Sequence, residues 1–284
     1  MRRIFLLLLS LIILQVDLLA QAVEGRIQDK VTGEPLAYVN IGVVGKDVGT
    51  VSNQQGNFLL NIDERYNQDT LKISIVGYQS RSFVVADFRK QMQNNPTVTL
   101  TEATAMLKEV VVEDKRYRGR KLNEKVLGNT DATDGSQTGF DTNLLGNEMG
   151  IIVKVRRKPT FIQDFSINIT ENQYNSFKFR INFYTVKKGL PDTNILTDNI
   201  VVDSQLKEGN LTVDLREYNI VMEDNFFVAM EWIEDLESKS LFFATDISGS
   251  ASPTIVRKTS QGDWKEVGKA AFGTGIGITL TVLQ

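Results

Sequence analysis

The amino-acid sequence predicts an all-β protein made of two β-sandwiches in series after a signal peptide. Apolar and polar residues alternate along many short runs, as they do in strands with one buried face. Clusters of Gly, Asn, Asp and Ser separate these runs and supply turn geometry. The second half of the chain has no strong helical periodicity, and 284 residues are enough for two domains of ordinary size.

The first residues have the layout of a secretory signal peptide. Arg2 and Arg3 form a positive start, residues 4–14 form an apolar run, and Ala20-Gln21-Ala22 is a small-x-small cleavage site. The apolar run is much shorter than the roughly 20 residues that a membrane-spanning helix needs. We therefore expect residues 1–22 to be removed on export, after Ala20 or Ala22, and the mature chain to contain no transmembrane segment.

Composition argues against several classes of function. The formal net charge is -3, so no basic surplus exists to neutralise the phosphates of a nucleic acid. The chain has no Cys and no His, which removes disulfides, Ser-His-Asp triads and the usual zinc ligands. Carboxylate pairs, Lys-assisted Ser chemistry and oxygen-ligated Ca²⁺ or Mg²⁺ stay open. We expect no catalytic residue, no metal and no cofactor.

Seven short runs near the start of the chain predict the first sandwich, because strands at this spacing with turns between them are typical of that architecture. The turn at residues 30–35 contains Gly33 and Pro35, which favour turn conformations. The runs are residues 23–27, 36–44, 48–51, 57–62, 71–76, 82–85 and 97–100.

An ordered series of short motifs runs through this first sandwich. Its positions are Gly25, Ile27, Asp29, Thr32, Gly33, Pro35, Leu36, Val39, Ile41, Gly49, Thr50, Ser52, Gly56, Phe58, Ile73, Ser74, Gly77 and Tyr78. In order and spacing they resemble the carboxypeptidase-regulatory-like domain, a seven-stranded transthyretin-like sandwich, over residues 22–101. Asn53 departs from the family, which usually has Asp before the Gly-x-Phe turn, but Asn can fill the same turn role.

The resemblance implies a place in the envelope of a Gram-negative bacterium. The domain is frequent at the N-terminus of TonB-dependent outer-membrane receptors and in other surface proteins. Residues 107–112 are similar to the segment that leads into the plug domain of such receptors, although the rest of the chain is too short for a plug and a barrel. A last edge strand at residues 110–112 explains the same sequence equally well.

Residues 114–149 are expected to link the two sandwiches, which places the first domain at 23–113 and the second at 150–284. Small and polar residues dominate 131–150, as in a linker or a partly ordered loop. An EF-hand loop needs side-chain oxygens at positions 1, 3 and 5, which here are Asp131, Thr133 and Gly135. Gly135 has no side chain, so no metal is expected there. The expected linker also contains a basic cluster, which is formed by Lys115, Arg116, Arg118, Arg120, Lys121 and Lys125. This cluster either binds anionic lipid, such as lipopolysaccharide, or is a solvated part of the linker.

Nine further runs predict a second sandwich of jelly-roll type. Residues 177–184 alternate as a half-buried antiparallel strand should. The segments 194–196 and 213–215 bear a loose, architectural similarity to carbohydrate-binding jelly rolls. The runs are residues 151–155, 161–169, 177–186, 199–202, 211–215, 226–233, 241–245, 254–257 and 276–283.

Three residues are the candidates for ligand binding: Glu231, Trp232 and Trp264. Glu231 opens the strongest acidic cluster, residues 231–237, whose alternative is a strand edge that runs into a solvated turn. Trp232 is either a platform for a pyranose ring or a core residue. Trp264 lies beside a turn signal and is expected to be exposed.

The sequence therefore predicts a non-catalytic exported protein that binds or scaffolds at the cell envelope, in the periplasm or at the outer membrane. Its partner would be a glycan or an envelope protein, and no nucleic acid. Two alternatives stay open. One is a carboxylate-based glycan-active enzyme, which needs two carboxylates suitably spaced in a cleft. The other is a purely structural partner of an outer-membrane complex.

Overall fold

The computed structural model describes residues 21–103, 122–140, 144–267 and 274–284. Most of the predicted signal peptide, residues 107–112 and most of the basic cluster of the predicted linker lie outside these ranges. We call residues 21–103 the first unit and the described residues from 122 onwards the second unit. The expected all-β fold with sandwich packing is confirmed.

The first unit contains two sheets that share one apolar core. One sheet has the strand order β4-β1-β7 and the other has the order β3-β2-β5-β6. β1 pairs antiparallel with β4 and parallel with β7. The elements are β1 Gln21–Asp29, β2 Asn40–Val43, β3 Gly49–Val51, β4 Asn57–Ile62, β5 Thr70–Ser74, β6 Arg81–Val84, helix α1 Val85–Asn94 and β7 Thr97–Leu100, with a 3₁₀ turn at Glu64–Tyr66.

Helix α1 is the main feature of the first unit that the sequence pattern did not predict. Val85, Phe88 and Met92 follow helical spacing and are buried. The Phe88 ring packs 6.2 Å from that of Phe58 and 5.4 Å from that of Phe83. Ten residues form a marginal helix on their own, so this packing against both sheets is what stabilises α1.

The second unit is a larger sandwich of two sheets. One has the order β13-β12-β17-β10-β19-β20, with β14 beside β12. The other has the order β21-β18-β11-β22-β8, with β15 and β16 beside β11 and β9 beside β18. The strands are β8 Glu124–Gly128, β9 Thr133–Gly139, β10 Glu148–Val153, β11 Thr160–Asn172, β12 Phe177–Lys187, β13 Leu190–Asn194, β14 Ile200–Ser204, β15 Gly209–Asp214, β16 Val221–Met222, β17 Phe226–Trp232, β18 Leu241–Asp246, β19 Thr254–Arg257, β20 Lys265–Val267, β21 Gly275–Ile276 and β22 Thr279–Leu283, and a second 3₁₀ turn spans Arg216–Tyr218.

The core of the second unit draws on both of its sheets. Phe179, Phe183 and Trp232 face inward from the first of them, and Phe165 and Phe243 face inward from the second. The phenyl rings of Phe165 and Phe179 meet with their centroids 6.4 Å apart. Every apolar run predicted after residue 150 contributes to a strand of this sandwich, although the run at 276–283 is divided into β21 and β22.

Residues 124–139 differ from the expected linker. β8 pairs antiparallel with β22, and β9 pairs antiparallel with β18, so both strands extend the second sandwich. β9 consists of small and polar residues and is largely exposed, so neighbouring backbone rather than apolar burial makes it a strand. The boundaries of the two domains themselves stay a prediction. No helix in the described part of the chain is long and apolar enough to cross a membrane.

Candidate functional site

A polar cleft of about 1220 Å³ opens between the first and the second unit. The outward face of the β4-β1-β7 sheet lines one side. Glu24 and Arg26 of β1 stand opposite Leu59 and Asn57 of β4 in register, and Asn61 follows on the same face. This face is polar and accessible because side chains alternate along β4, so that Phe58, Leu60 and Ile62 point into the core instead.

The second unit supplies the facing wall through two loops. The loop before β10 contributes Leu144 and Leu145, and the segment after β17 contributes residues 233–236. Most of the polar lining consists of amides and carboxylates, with Arg26 as a counter-charge. These amides and carboxylates are Asn53, Gln54, Gln55, Asn57, Asn61, Glu24, Asp47, Glu234 and Asp235.

Tyr38 lines the cleft from a strained turn. Its φ is 58°, a left-handed conformation that costs a residue with a side chain on the order of 1–2 kcal/mol. Ser52 holds the turn, because its carbonyl accepts from Tyr38 N at 3.0 Å and its N–H donates to Val39 O at 2.9 Å. The Ser52 hydroxyl also accepts from Val39 N and donates to Leu36 O, both at 2.9 Å. Arg180 of the second unit donates to Tyr38 O.

A charged cluster lies beside Tyr38. Lys178 Nζ is 3.1 Å from Asp203 Oδ2 and 3.2 Å from Glu234 Oε1. Burial raises the pKa of the Tyr38 phenol, and the negative charge of Glu234 adds to that shift while Lys178 opposes it. Glu234 Oε2 is buried and accepts no hydrogen bond from any described residue. The Glu234 carboxylate is therefore held by Lys178 through Oε1, and its Oε2 is shielded from solvent.

A row of four charged side chains crosses the sheet of the second unit next to this cluster. Arg180 of β12, Glu231 of β17, Glu148 of β10 and Arg257 of β19 are successive register partners. Their side chains therefore stand side by side on one face. Arg180, Glu231 and Glu148 are buried, and the Arg257 side chain is 12% exposed. The two glutamates stand in the middle of the row, with an arginine at each end.

Ion pairs and hydrogen bonds connect the row into one network, in which Asn182 Nδ2 donates to both glutamates. Glu231 Oε2 lies 3.4 Å from Arg180 Nη1 and accepts from Asn182 Nδ2 at 2.8 Å. Glu148 accepts from Arg257 Nε at 2.9 Å and from the Tyr184 hydroxyl at 2.8 Å. The row thus ends at one side on Arg180, which also holds the carbonyl of Tyr38.

The two neighbouring carboxyls have a clear electrostatic consequence. Burial is the main reason why the pKa of Glu148 is raised to about 7, with Arg257 opposing the shift and Glu231 reinforcing it. Burial likewise raises the pKa of the Tyr184 phenol, and the charge of Glu148 adds to that shift. Glu148 therefore changes its protonation state near neutral pH.

A close contact between the units keeps the two walls of the cleft together. Gly42 and Gly49 are register partners in β2 and β3. A Cβ on Gly42 would lie 3.1 Å from Gln261 Cβ, and one on Gly49 would lie 3.1 Å from Thr259 Cβ. The hydrogen bonds across this contact run from Gly45 N to Gln261 O at 2.9 Å, from Thr259 Oγ1 to Lys46 O at 3.2 Å and from Gln261 Nε2 to Ser74 Oγ at 3.1 Å.

None of the three residues expected to bind a ligand is part of the cleft lining. Glu231 is fully buried in the ionic row, and Trp232, on the opposite face of β17, is fully buried in the core. Trp264 is half-buried rather than open. Its ring packs 5.0 Å from that of Phe227 and 5.6 Å from that of Tyr184, and the Arg257 guanidinium lies 4.2 Å from its centroid. Their role in binding stays a prediction.

Sequence reasoning missed most of the residues that do line the cleft. Asn57 and Asn61 occur at alternate positions of a strand that was predicted correctly, so the sequence pattern could have placed them on the same outward face. The pattern could not have identified the turn at Tyr38, because residues 36–44 alternate like one continuous strand, whereas β2 begins only at Asn40. No group of three or more His, Cys, Asp or Glu residues suited to a metal occurs in the described ranges.

Comparison with known proteins agrees with the resemblance seen in the sequence. Residues 23–112 match the family model described as the CarboxypepD_reg-like domain. Over 114 residues the chain is 36% identical to the TonB-dependent receptor SusC of Bacteroides thetaiotaomicron. The matched residues make up 39% of this chain and 10% of the receptor. The match therefore spans about a tenth of the receptor's length. The predicted likeness to the N-terminal extension of such receptors is confirmed.

Solved structures show only distant similarity. The cysteine protease and lectin-like domains of Cwp84, a surface layer associated protein of Clostridium difficile, align with a TM-score of 0.40 at 8% identity, over 93% of this chain and 59% of that one. A second Cwp84 structure, after propeptide cleavage, aligns with a TM-score of 0.40 at 11% identity, over 93% and 70% of the two chains. Similarity at this level adds nothing to the account of this chain.

Proposed function

We propose that this chain is a non-catalytic binding protein of the Gram-negative cell envelope and that its cleft binds a glycan. One observation carries the proposal. Amide and carboxylate side chains line a cleft of about 1220 Å³ on the outward face of β1 and β4 and on the loops that face it. Most of these side chains are exposed, so they can meet a ligand without any change in the core.

The lining matches the chemistry of sugars. Each sugar hydroxyl both donates and accepts a hydrogen bond, and an amide side chain offers both functions. Exposed carboxylates such as Asp235 accept strong hydrogen bonds from hydroxyls. The volume exceeds the range of about 300–1,000 Å³ that is typical of small-molecule sites, which fits an oligosaccharide better than a single sugar.

The charges of the cleft are close to balanced. Two of the four lining carboxylates are paired with lysines: Lys178 Nζ lies 3.2 Å from Glu234 Oε1, and Lys258 and Lys265 each lie 3.8 Å from Asp47 Oδ2. Arg26 also lines the cleft, so a neutral glycan meets no strong net field and would be held by hydrogen bonds.

The envelope setting rests on the first unit. Its match to the CarboxypepD_reg-like domain and its similarity to the receptor SusC support a place in the periplasm or at the outer membrane. In that setting the first unit serves as a docking or spacer module beside an envelope protein, and it also supplies one wall of the cleft.

Titration calorimetry with maltohexaose, cellohexaose, xylohexaose and mannohexaose, together with a glycan array, tests the proposal. We expect at least one of these neutral glycans to bind. The double variant Asn57→Ala/Asn61→Ala should weaken that binding about tenfold, which corresponds to about 1.4 kcal/mol.

The matched control is Asn210→Ala, which removes an exposed amide from β15, a strand that does not line the cleft. It should bind as the unchanged protein does. Absence of any glycan binding, combined with co-purification with a membrane protein, would instead support a purely structural role.

A carboxylate-based enzyme is the second candidate, because Glu148 and Glu231 are adjacent and the pKa of Glu148 is raised to about 7. A carboxylic acid that stays protonated beside an ionised one is the arrangement that glycosidases use. Both side chains are fully buried, however, so a substrate would need a local opening to reach them. Release of reducing sugar from the same hexasaccharides, lost in Glu231→Gln, would establish this activity.

A further inference from the structure

We infer that the ring of Tyr38 contacts the bound glycan and forms the aromatic surface of the cleft. The inference rests on the proposed function of the cleft and names a residue that neither the sequence pattern nor the family match identifies. It follows from three features of Tyr38: its place in the lining, its strained backbone and its position beside Glu234.

The backbone of Tyr38 is held in place more firmly than an ordinary turn requires. A bulky residue with φ of 58° is rare, and such strain persists only where the surroundings enforce it. Ser52 enforces it through its backbone and its hydroxyl, and Arg180 adds a hydrogen bond from the second unit. Strained residues of this kind are common at ligand sites.

The support of Tyr38 reaches far into the second unit. Arg180 is itself fixed by Glu231, whose neighbour Glu148 is fixed by Arg257. The four side chains of the row therefore support the group that holds the carbonyl of Tyr38. A loop aromatic that depends on a buried network of the other unit is placed with the precision that a binding site needs.

The surroundings of the ring suit a sugar. Tyr38 is half-buried and lines the cleft, so part of its surface is accessible to a ligand. Glu234 lies near enough for its charge to act on the phenol. An aromatic surface for the C–H groups of a pyranose and polar side chains for its hydroxyls therefore line the same cleft.

Four variants test this assignment, with titration calorimetry on maltohexaose, cellohexaose, xylohexaose and mannohexaose. Tyr38→Phe keeps the ring and should bind within about twofold of the unchanged protein. Tyr38→Ala and Tyr38→Gly remove the ring and should weaken binding about tenfold. Tyr218→Ala is the matched control, because Tyr218 belongs to the second unit and is not part of the lining, and it should bind normally.

Thermal unfolding of the same variants separates a ligand contact from a structural role. Glycine adopts positive φ freely, so Tyr38→Gly should unfold at a higher temperature than Tyr38→Ala while both lose binding. If Tyr38→Gly binds as tightly as the unchanged protein, or if Tyr38→Phe loses binding as fully as Tyr38→Ala, the assignment of the ring is wrong and the cleft proposal stands. If the unchanged protein binds none of the four hexasaccharides and no array glycan, the proposed function fails and this inference fails with it.

Discussion

At the scale of single residues, the most consequential feature is the pair of buried glutamates in the ionic row. Glu148 and Glu231 are register partners on β10 and β17, and both side chains are fully buried. The cost of burying like charges side by side is offset by an arginine at each end of the row. Because the pKa of Glu148 is raised from 4.5 to about 7, this row makes stability depend on pH.

The sign of that dependence follows from proton binding. Between about pH 4.5 and about pH 7 the folded chain keeps the Glu148 proton that the unfolded chain has released. The folded state therefore binds more protons, and the free energy of unfolding should fall as pH rises through this window, by an amount on the order of 3 kcal/mol. Urea unfolding at a series of pH values measures it.

Glu148→Gln should remove this part of the slope, because the amide cannot bind or release a proton in this pH range. The matched control is Glu124→Gln, which changes an exposed carboxyl on β8 and should keep the slope. An unchanged slope in Glu148→Gln would contradict the assignment.

At the scale of elements, helix α1 shows how tertiary packing decides a structure that local pattern leaves open. Phe88 is fully buried between the sheets of the first unit and stacks near Phe58 and Phe83. Phe88→Ala should lower the free energy of unfolding by about 3–5 kcal/mol, the cost of a large core truncation. Lys90→Ala, on the exposed face of the same helix, should change it by less than about 0.5 kcal/mol. Chemical denaturation followed by circular dichroism checks both values, and equal losses in the two variants would contradict this account of α1.

At the scale of the whole molecule, the contact at Gly42 and Gly49 determines whether the cleft has two walls. Valine at position 42 would push against Gln261, because even a Cβ there lies at 3.1 Å. We expect Gly42→Val to destabilise the contact by about 1–3 kcal/mol and to split thermal unfolding into two transitions. Calorimetry should also show weaker glycan binding.

Gly135→Val serves as the control for this change, since the nearest atom to a Cβ at Gly135 is the Thr133 hydroxyl at 3.7 Å. It should unfold in the same manner as the unchanged protein. A single sharp transition and full binding in Gly42→Val would show that the units do not depend on this contact.

The prediction from sequence was good where side-chain alternation decides structure. The runs at 57–62 and 97–100 coincide with β4 and β7, and the run at 254–257 coincides with β19. The prediction was poor where contacts with distant parts of the chain determine the local structure. β9 is a strand because β18 offers it a pairing edge, and the turn at Tyr38 interrupts an alternating run because Ser52 and Arg180 hold it.

The sequence by itself determined the fold class and the likeness of the first unit to a CarboxypepD_reg-like domain, because periodicity and turn residues are local properties of the chain. It also determined which chemistries are absent, since a chain without His and Cys cannot use them. Only the tertiary structure decided where a ligand could bind. The cleft joins residues far apart in the chain, such as Asn57 and Glu234, and no local pattern records which distant segments will face each other.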